Sequence, residues 1–211
     1  MARTDETWFE TGELEGKRYR NLSKFFRTEY SVSLDFVSAR WPAWSRKERS
    51  RFAAAFAARS KLVEGDQYIL DFLMENGDNE VGGLIAHLIA REYPDRDRAL
   101  KFLLSRVKKR DLPLASYYQA LSTLASPQCV QELKEALVGH RLYVQEHRSL
   151  RWWRTWKDTL MYLDYLSCSA TLFRLTGEEE YRANLKAMLE HRNKPVRQMA
   201  RAVAMSSGIA V

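Results

Sequence analysis

A repeat of 33 residues constrains this chain more than any other feature of its sequence. From Asp66, Ile69, Leu70, Leu73 and Met74 recur at helical spacing, Asp78 follows a short turn, and Val81, Leu84, Ile85, Leu88 and Ile89 carry a second apolar stripe. Moving 33 positions along, Ile69, Leu70 and Met74 become Phe102, Leu103 and Val107, Asp78 becomes Asp111, and Val81, Ile85 and Leu88 become Leu114, Tyr118 and Leu121. A second shift, from Val81 to Val196, places Leu70, Leu73 and Met74 on Leu185, Met188 and Leu189, with Asp78 on Asn193. Each unit is a helical hairpin, and a hairpin buries its second face only against a neighbour, so the units are expected to stack. Asp78, Asp111 and Asn193 are read as equivalent N-caps, each accepting orphan backbone N–H groups at the start of a second helix.

The rest of the chain is read in the same way. Residues 1–16 form an acidic lead-in, with Asp5, Glu6, Glu10, Glu13 and Glu15 and no basic residue from 5 to 15. A helix is predicted near 18–30 from Leu22, Phe25, Phe26 and Tyr30. A short apolar stretch of Leu34, Phe36, Val37 and Trp41 then ends at Pro42, which pushes its predecessor out of helical geometry. Ser45 reads as the N-cap of a helix over 46–63 with Phe52, Ala55, Phe56, Arg59, Leu62 and Val63 inside. Ser126-Pro127 opens a helix through Val130, Leu133, Leu137 and Val138, a long connection follows near 139–151, and Trp156–Leu175 forms a long helix. Thr176 and Glu179 have the spacing of a capping box. Glycine (9) and proline (5) are too scarce for many short strands, so helices fill the length. The expected fold is all-α, about four to five helix pairs in one domain over 17–211.

The segments LKAMLEHRNKPVRQMARAV and LDFLMENGDNEVGGLIAHLIA, at 185–203 and 70–90, resemble HEAT repeats of the armadillo-like α-solenoid family. They share an amphipathic helix, a polar turn, a capping residue and an alanine- or glycine-containing second helix. The resemblance covers 65–125 and 177–207 and implies a right-handed α-α superhelix. An irregular helical bundle is the alternative. A solenoid fold specifies an architecture and not an activity, and by analogy it implies a concave surface of second helices that binds a macromolecule.

The sequence holds no phosphate-binding G-x-x-x-x-G-K-[ST] loop, no G-x-G-x-x-G turn, no H-E-x-x-H helix and no G-x-S-x-G elbow. His87, His140, His147 and His191 stand apart from one another and from cysteines at metal-ligand spacing, so no metal and no cofactor is expected. Ser105 and Lys108 match S-x-x-K without its partner motifs. Cys168, in an apolar run, reads as a buried thiol. No catalytic residue is assigned.

Charge is the remaining signal. The chain carries +7 overall; Arg96–Arg110 carries +6 and His140–Lys157 carries +4. Within the second stretch, Arg148, Arg151, Arg154 and Lys157 interleave with Trp152, Trp153 and Trp156. Such a segment either grips phosphate or carboxylate groups with its cations and stacks its indoles on a ligand, or packs its indoles as core with the cations in water. It bears a faint resemblance to HEAT-like alkylpurine DNA glycosylases, which implies a basic concave surface gripping DNA and a catalytic Asp near a Trp pair. The matching position here is Lys157, and Asp158 lies one residue later, about 100° around a helix, so catalysis is not carried over. The leading expectation is a non-catalytic scaffold for a protein partner, with DNA binding in repair as the alternative. With no leader-like apolar run, no stretch of about 18 apolar residues and only two cysteines, a cytoplasmic protein without membrane contact is expected. Ala200, Ala204 and Ile209 suggest an apolar end, hence a monomer or weak homodimer.

Overall fold

A computed structural model describes Glu13–Leu14, Lys17–Arg18 and residues 32–111, 113–147 and 156–210. The fold is all-α: ten α-helices account for nearly all regular structure among the described residues, beside a two-residue antiparallel ladder of β1 (Glu13–Leu14) and β2 (Lys17–Arg18). The helix expected near 18–30 lies outside the described residues except at Arg18, which pairs with Glu13. The chain divides into two compact units, Met1–Pro94 and Asp95–Val211.

In the first unit the short apolar stretch is helix α1 (Leu34–Arg40), capped by the Ser33 hydroxyl, which accepts from Phe36 N at 3.2 Å. Helix α2 (Arg46–Ala57) starts at the expected Ser45, with Glu48 completing a capping box by accepting from Ser45 N at 2.8 Å. It ends six residues short of the predicted 63. Arg59 and Asp66 account for this: the guanidinium and carboxylate form a fully buried ion pair at 2.6 Å, and Asp66 also accepts from Val63 N at 3.0 Å, which draws the chain out of the helix. Helices α3 (Asp66–Asn76) and α4 (Asn79–Glu92) are the predicted hairpin, and Asp78 caps α4 by accepting from Val81 N at 2.9 Å. α2 packs on α4, and α3 packs on α1 and α4. Trp41 lies edge-on to Phe72, and Trp44 tilts against Phe52, closing an aromatic core.

The second unit holds α5 (Arg96–Lys109), α6 (Ala115–Leu124), a 3-10 turn (Pro127–Cys129), α7 (Val130–Glu146), α8 (Trp156–Thr176), α9 (Glu179–Leu189) and α10 (Lys194–Ser206). Ser126 precedes the 3-10 turn with Pro127 in its first position, where a missing N–H is tolerated. α8 is the hub and packs against α6, α7, α9 and α10, while α5 lies on α6 and α7, and α9 on α10. Every residue of α8 from Asp164 to Leu172 is buried.

The 33-residue register holds for the buried positions: Phe102, Leu103 and Val107, then Leu114, Tyr118 and Leu121, are all buried, like their counterparts. The capping register does not. The N-cap of α6 is Leu114, not Asp111, and its N–H donates to both carboxylate oxygens of the buried Asp164 at 3.0 and 3.1 Å. Asn193 occupies the N-cap position of α10 without a side-chain cap bond. Thr176 and Glu179 form no capping box; Glu178 is the N-cap of α9, and the Thr176 hydroxyl accepts from Glu178 N. The connection expected near 139–151 is helical through Glu146, because His140 is buried with its Nε2 2.7 Å from the Tyr118 hydroxyl, which anchors that stretch of α7. Val138, expected inside beside Leu137, is 58% exposed.

Candidate functional site

α8 is described from Trp156, and there three successive side chains fall into different environments. Trp156 is 73% exposed, Lys157 is exposed and Asp158 is buried. Two other tryptophans, Trp41 and Trp44, are 5% and 8% exposed, so the Trp156 indole stands out as a large apolar group left in water. An acidic residue in the first turn complements the positive helix end, and Asp158 also accepts a hydrogen bond from the Tyr143 hydroxyl. Tyr143 in turn stacks on His147 with ring centroids 4.0 Å apart, and His147 Nδ1 lies 2.8 Å from Tyr143 O. Burial and then the Asp158 carboxylate push the Tyr143 hydroxyl up to about 12, so it stays a donor at neutral pH. These contacts tie the last turn of α7 to the first turn of α8 and present Trp156 and Lys157 from a fixed base.

Arg148, Arg151, Trp152, Trp153 and Arg154 lie outside the described residues. Of the predicted site, Trp156 and Lys157 are placed, adjacent and exposed. For Trp156 the choice between core and surface left open by the sequence falls to surface.

Buried polar groups of the second unit serve the fold. Burial pushes the Asp164 carboxyl up to about 7, against the Leu114 and Ala115 N–H groups that favour its charged form. Burial and then Arg110 lower the His140 imidazolium to about 4, so His140 is neutral in its contact with Tyr118. Cys168 donates to Leu133 O, and burial raises its thiol well above the ordinary range; Cys129 is pushed up to about 11. Neither thiol has the electropositive, accessible setting that a nucleophile needs. Among the described residues no group of three or more His, Cys, Asp or Glu side chains could hold a metal ion, and no helix is long and apolar enough to cross a membrane.

The second helices of this unit differ in how much surface they leave open: α10 buries only four of its thirteen residues. α8 is enclosed over Asp164–Leu172 and α6 buries six of its ten residues, so both offer little to a partner. The first helices of the pairs, α5, α7 and α9, keep outward faces, and two clefts open between them. One of about 260 Å³ lies between α5 and α7, and one of about 310 Å³ lies between α7 and α9 over the Tyr165 ring. Sequence reasoning missed these clefts because each joins residues from separate helices. The expected apolar end is covered as well: Ala200, Ala204 and Ile209 are buried inside the unit. Comparison of the chain with family models, with curated proteins and with solved structures gave no match to any of the three.

Proposed function

We propose that the chain is a HEAT-like helical scaffold that binds a macromolecular partner, a protein, through exposed faces of its second unit. The superhelical reading draws on the 33-residue register of buried positions and on the packing of α8, which meets α6 and α10 as well as its flanking helices α7 and α9. In a stack of helical pairs a second helix touches the second helices before and after it, and this is the pattern around α8.

The observation that carries the binding reading is the 73% exposed indole of Trp156 beside Lys157, on a turn fixed by the Tyr143–Asp158 bond. Tryptophan is enriched among residues that dominate interface energetics, because a large rigid ring loses little conformational freedom on docking. The thiols are buried and held above their ordinary range by that burial, and the buried acid and imidazole are committed to Leu114 and Tyr118, so the described polar groups suit support of a surface better than catalysis. In this reading the protein works as a monomer or weak homodimer in the cytoplasm.

DNA binding is the second reading, favoured by the +6 charge of Arg96–Arg110 together with an exposed Trp–Lys pair. One experiment separates the two: cell-extract capture and duplex-DNA retention are compared for the wild type and a Trp156→Ser/Lys157→Glu variant of equal melting temperature. Loss of a captured protein in the variant, without DNA retention by either form, supports the scaffold. Retention that falls steeply with salt and is lost in the variant replaces it with DNA binding. Unchanged capture in the variant refutes the assigned surface.

A further inference from the structure

α10 differs in charge from every other charged helix among the described residues: it carries Lys194, Arg197 and Arg201 and no carboxylate. Val196, Ala200, Val203 and Ala204 turn inward. On the opposite side Lys194, Gln198, Arg201 and Met205 fall within about 60° of one another around the helix. All four are exposed, Met205 at 82%, and Ala202 is exposed beside them. The acids that could neutralise this stripe lie elsewhere or are occupied. From Lys186 to Ala210 the chain has five cations and one carboxylate, Glu190. At the start of α9, Glu178 is held by Lys134, Glu180 by Arg141 and Glu179 by Arg182. Arg197 donates to His191 O and Arg192 O at 2.7 and 2.9 Å. Among the described residues neither Lys194 nor Arg201 is in an ion pair.

We infer that this stripe of α10 is a docking surface for an acidic helix of the partner protein, with carboxylates one heptad apart on Lys194 and Arg201 and an apolar side chain on Met205. The inference rests on the scaffold reading above and specifies the partner's chemistry. Charge selects the sign of the occupant: an acid-free helix face with two unpaired cations attracts a carboxylate-bearing segment and repels a basic one. The same charge excludes a second copy bound through this face, because a two-fold contact would set each cation against its own kind. A phosphate backbone would find only two cations here, and the most exposed side chain of the stripe, Met205, gives it no contact. Methionine instead adapts its flexible thioether to an apolar side chain of a protein.

Spacing selects the occupant's conformation. The stripe residues recur at intervals of four, three and four, which is the seam of two helices lying side by side. Lys194 and Arg201 are therefore about 10 Å apart along the axis, the distance between residues one heptad apart on a facing helix. Ala202 beside the seam lets that helix approach closely. Three of the four seam positions are polar, so the contact is held by ion pairs and weakens with salt. The stripe also begins at the end of the unit where Trp156 and Lys157 are exposed. Tyr162 of α8 lies edge-on to His191, just before α10, with ring centroids 5.8 Å apart.

The test uses a fluorescein-labelled, alanine-based helical peptide of about 20 residues, read by fluorescence anisotropy against the full chain at low salt. Its one decorated face carries two glutamates a heptad apart, each flanked one turn outward by leucine, so that it can dock in either direction. A control peptide carries lysine in place of glutamate. Expected are saturable binding of the glutamate peptide and none of the control. Lys194→Glu/Arg201→Glu should weaken binding by roughly tenfold or more and Met205→Ser by at least about threefold, both with unchanged melting. Absence of binding overturns the inference, as does equal binding of the lysine peptide or binding indifferent to either variant. Should the double reversal lower melting, Arg201→Gln alone is expected to weaken binding by about threefold or more, and indifference to it overturns the inference. Duplex DNA retained in place of the peptide, or self-association abolished by the double reversal, also overturns it and identifies nucleic acid or a second copy as the occupant. If the peptide fails while Trp156→Ser/Lys157→Glu still abolishes protein capture, the scaffold reading stands and only the α10 stripe is rejected.

Discussion

Replacing Asp164 by asparagine keeps an acceptor for the Leu114 N–H and removes an ionisable group from the interior of the second unit. The carboxyl sits at about 7 in the folded chain and at its ordinary 3.8 when exposed. The folded state therefore binds its proton more tightly, and the associated stability, full below about pH 4, is lost as pH rises through about 7. His140 acts in the opposite sense. Its imidazolium is lowered from 6.5 to about 4, so its stability is full above about 6.5 and is lost as pH falls through about 4. A tenfold change in proton affinity is about 1.4 kcal/mol, which makes the Asp164 effect about 4 kcal/mol and the His140 effect about 3 kcal/mol. In the wild type the two nearly cancel between pH 4 and 6.5. Equilibrium urea unfolding across that range, subtracting the wild-type curve so that other carboxylates drop out, should show Asp164→Asn losing about 3 kcal/mol relative to the wild type on acidification. His140→Gln should gain a similar amount. A flat difference curve for either variant would refute the assignment of a buried, displaced group.

The remaining predictions concern local structure. Asp78→Ala should cost about 1 kcal/mol in urea unfolding through loss of its bond to Val81 N, whereas Asn193→Ala should change stability by less than about 0.5 kcal/mol; equal losses would restore the repeating cap. Arg59→Met should cost about 3–5 kcal/mol by stranding the buried Asp66, and the double change Arg59→Met/Asp66→Leu should recover part of it, offset by the lost Val63 contact. Recovery of nothing would show that the pair is not coupled. A methyl group at Gly77 would come within 2.5 Å of Leu73 O and 2.6 Å of Val81 Cγ1, so Gly77→Ala should lower stability by about 1–3 kcal/mol; a neutral change in melting would contradict the tight α3–α4 turn.

What was legible in the sequence was local. The C-terminal end of α8 is legible to within one residue, Leu175 against Thr176, where the apolar run gives way to Thr176-Gly177. Asp78 and Ser45 are legible as caps because the backbone N–H groups they accept from, of Val81 and Glu48, lie only three residues away. Asp111 was misread because the cap on α6 comes from Asp164, fifty positions along the chain, and no local pattern announces it. The same limit hid the end of α2, set by Arg59 and Asp66, and the continuation of α7 through Gly139-His140-Arg141, a polar run stabilised by Tyr118. Leu137 and Val138 differ by one position, about 100° on a helix, and that rotation separates core from surface. At the site, sequence named Trp156 but had no means of telling it from Trp41 and Trp44, since exposure depends on which helices arrive around it.

Unfolding of Trp156→Ser in urea at neutral pH tests the central claim most directly, because the surface reading requires that this indole contribute to binding and not to the core. An exposed side chain on a fixed turn predicts a stability change within about 0.5 kcal/mol of the wild type. A loss of about 3 kcal/mol or more, the scale of a truncated buried aromatic, would place the indole in the interior and contradict the account.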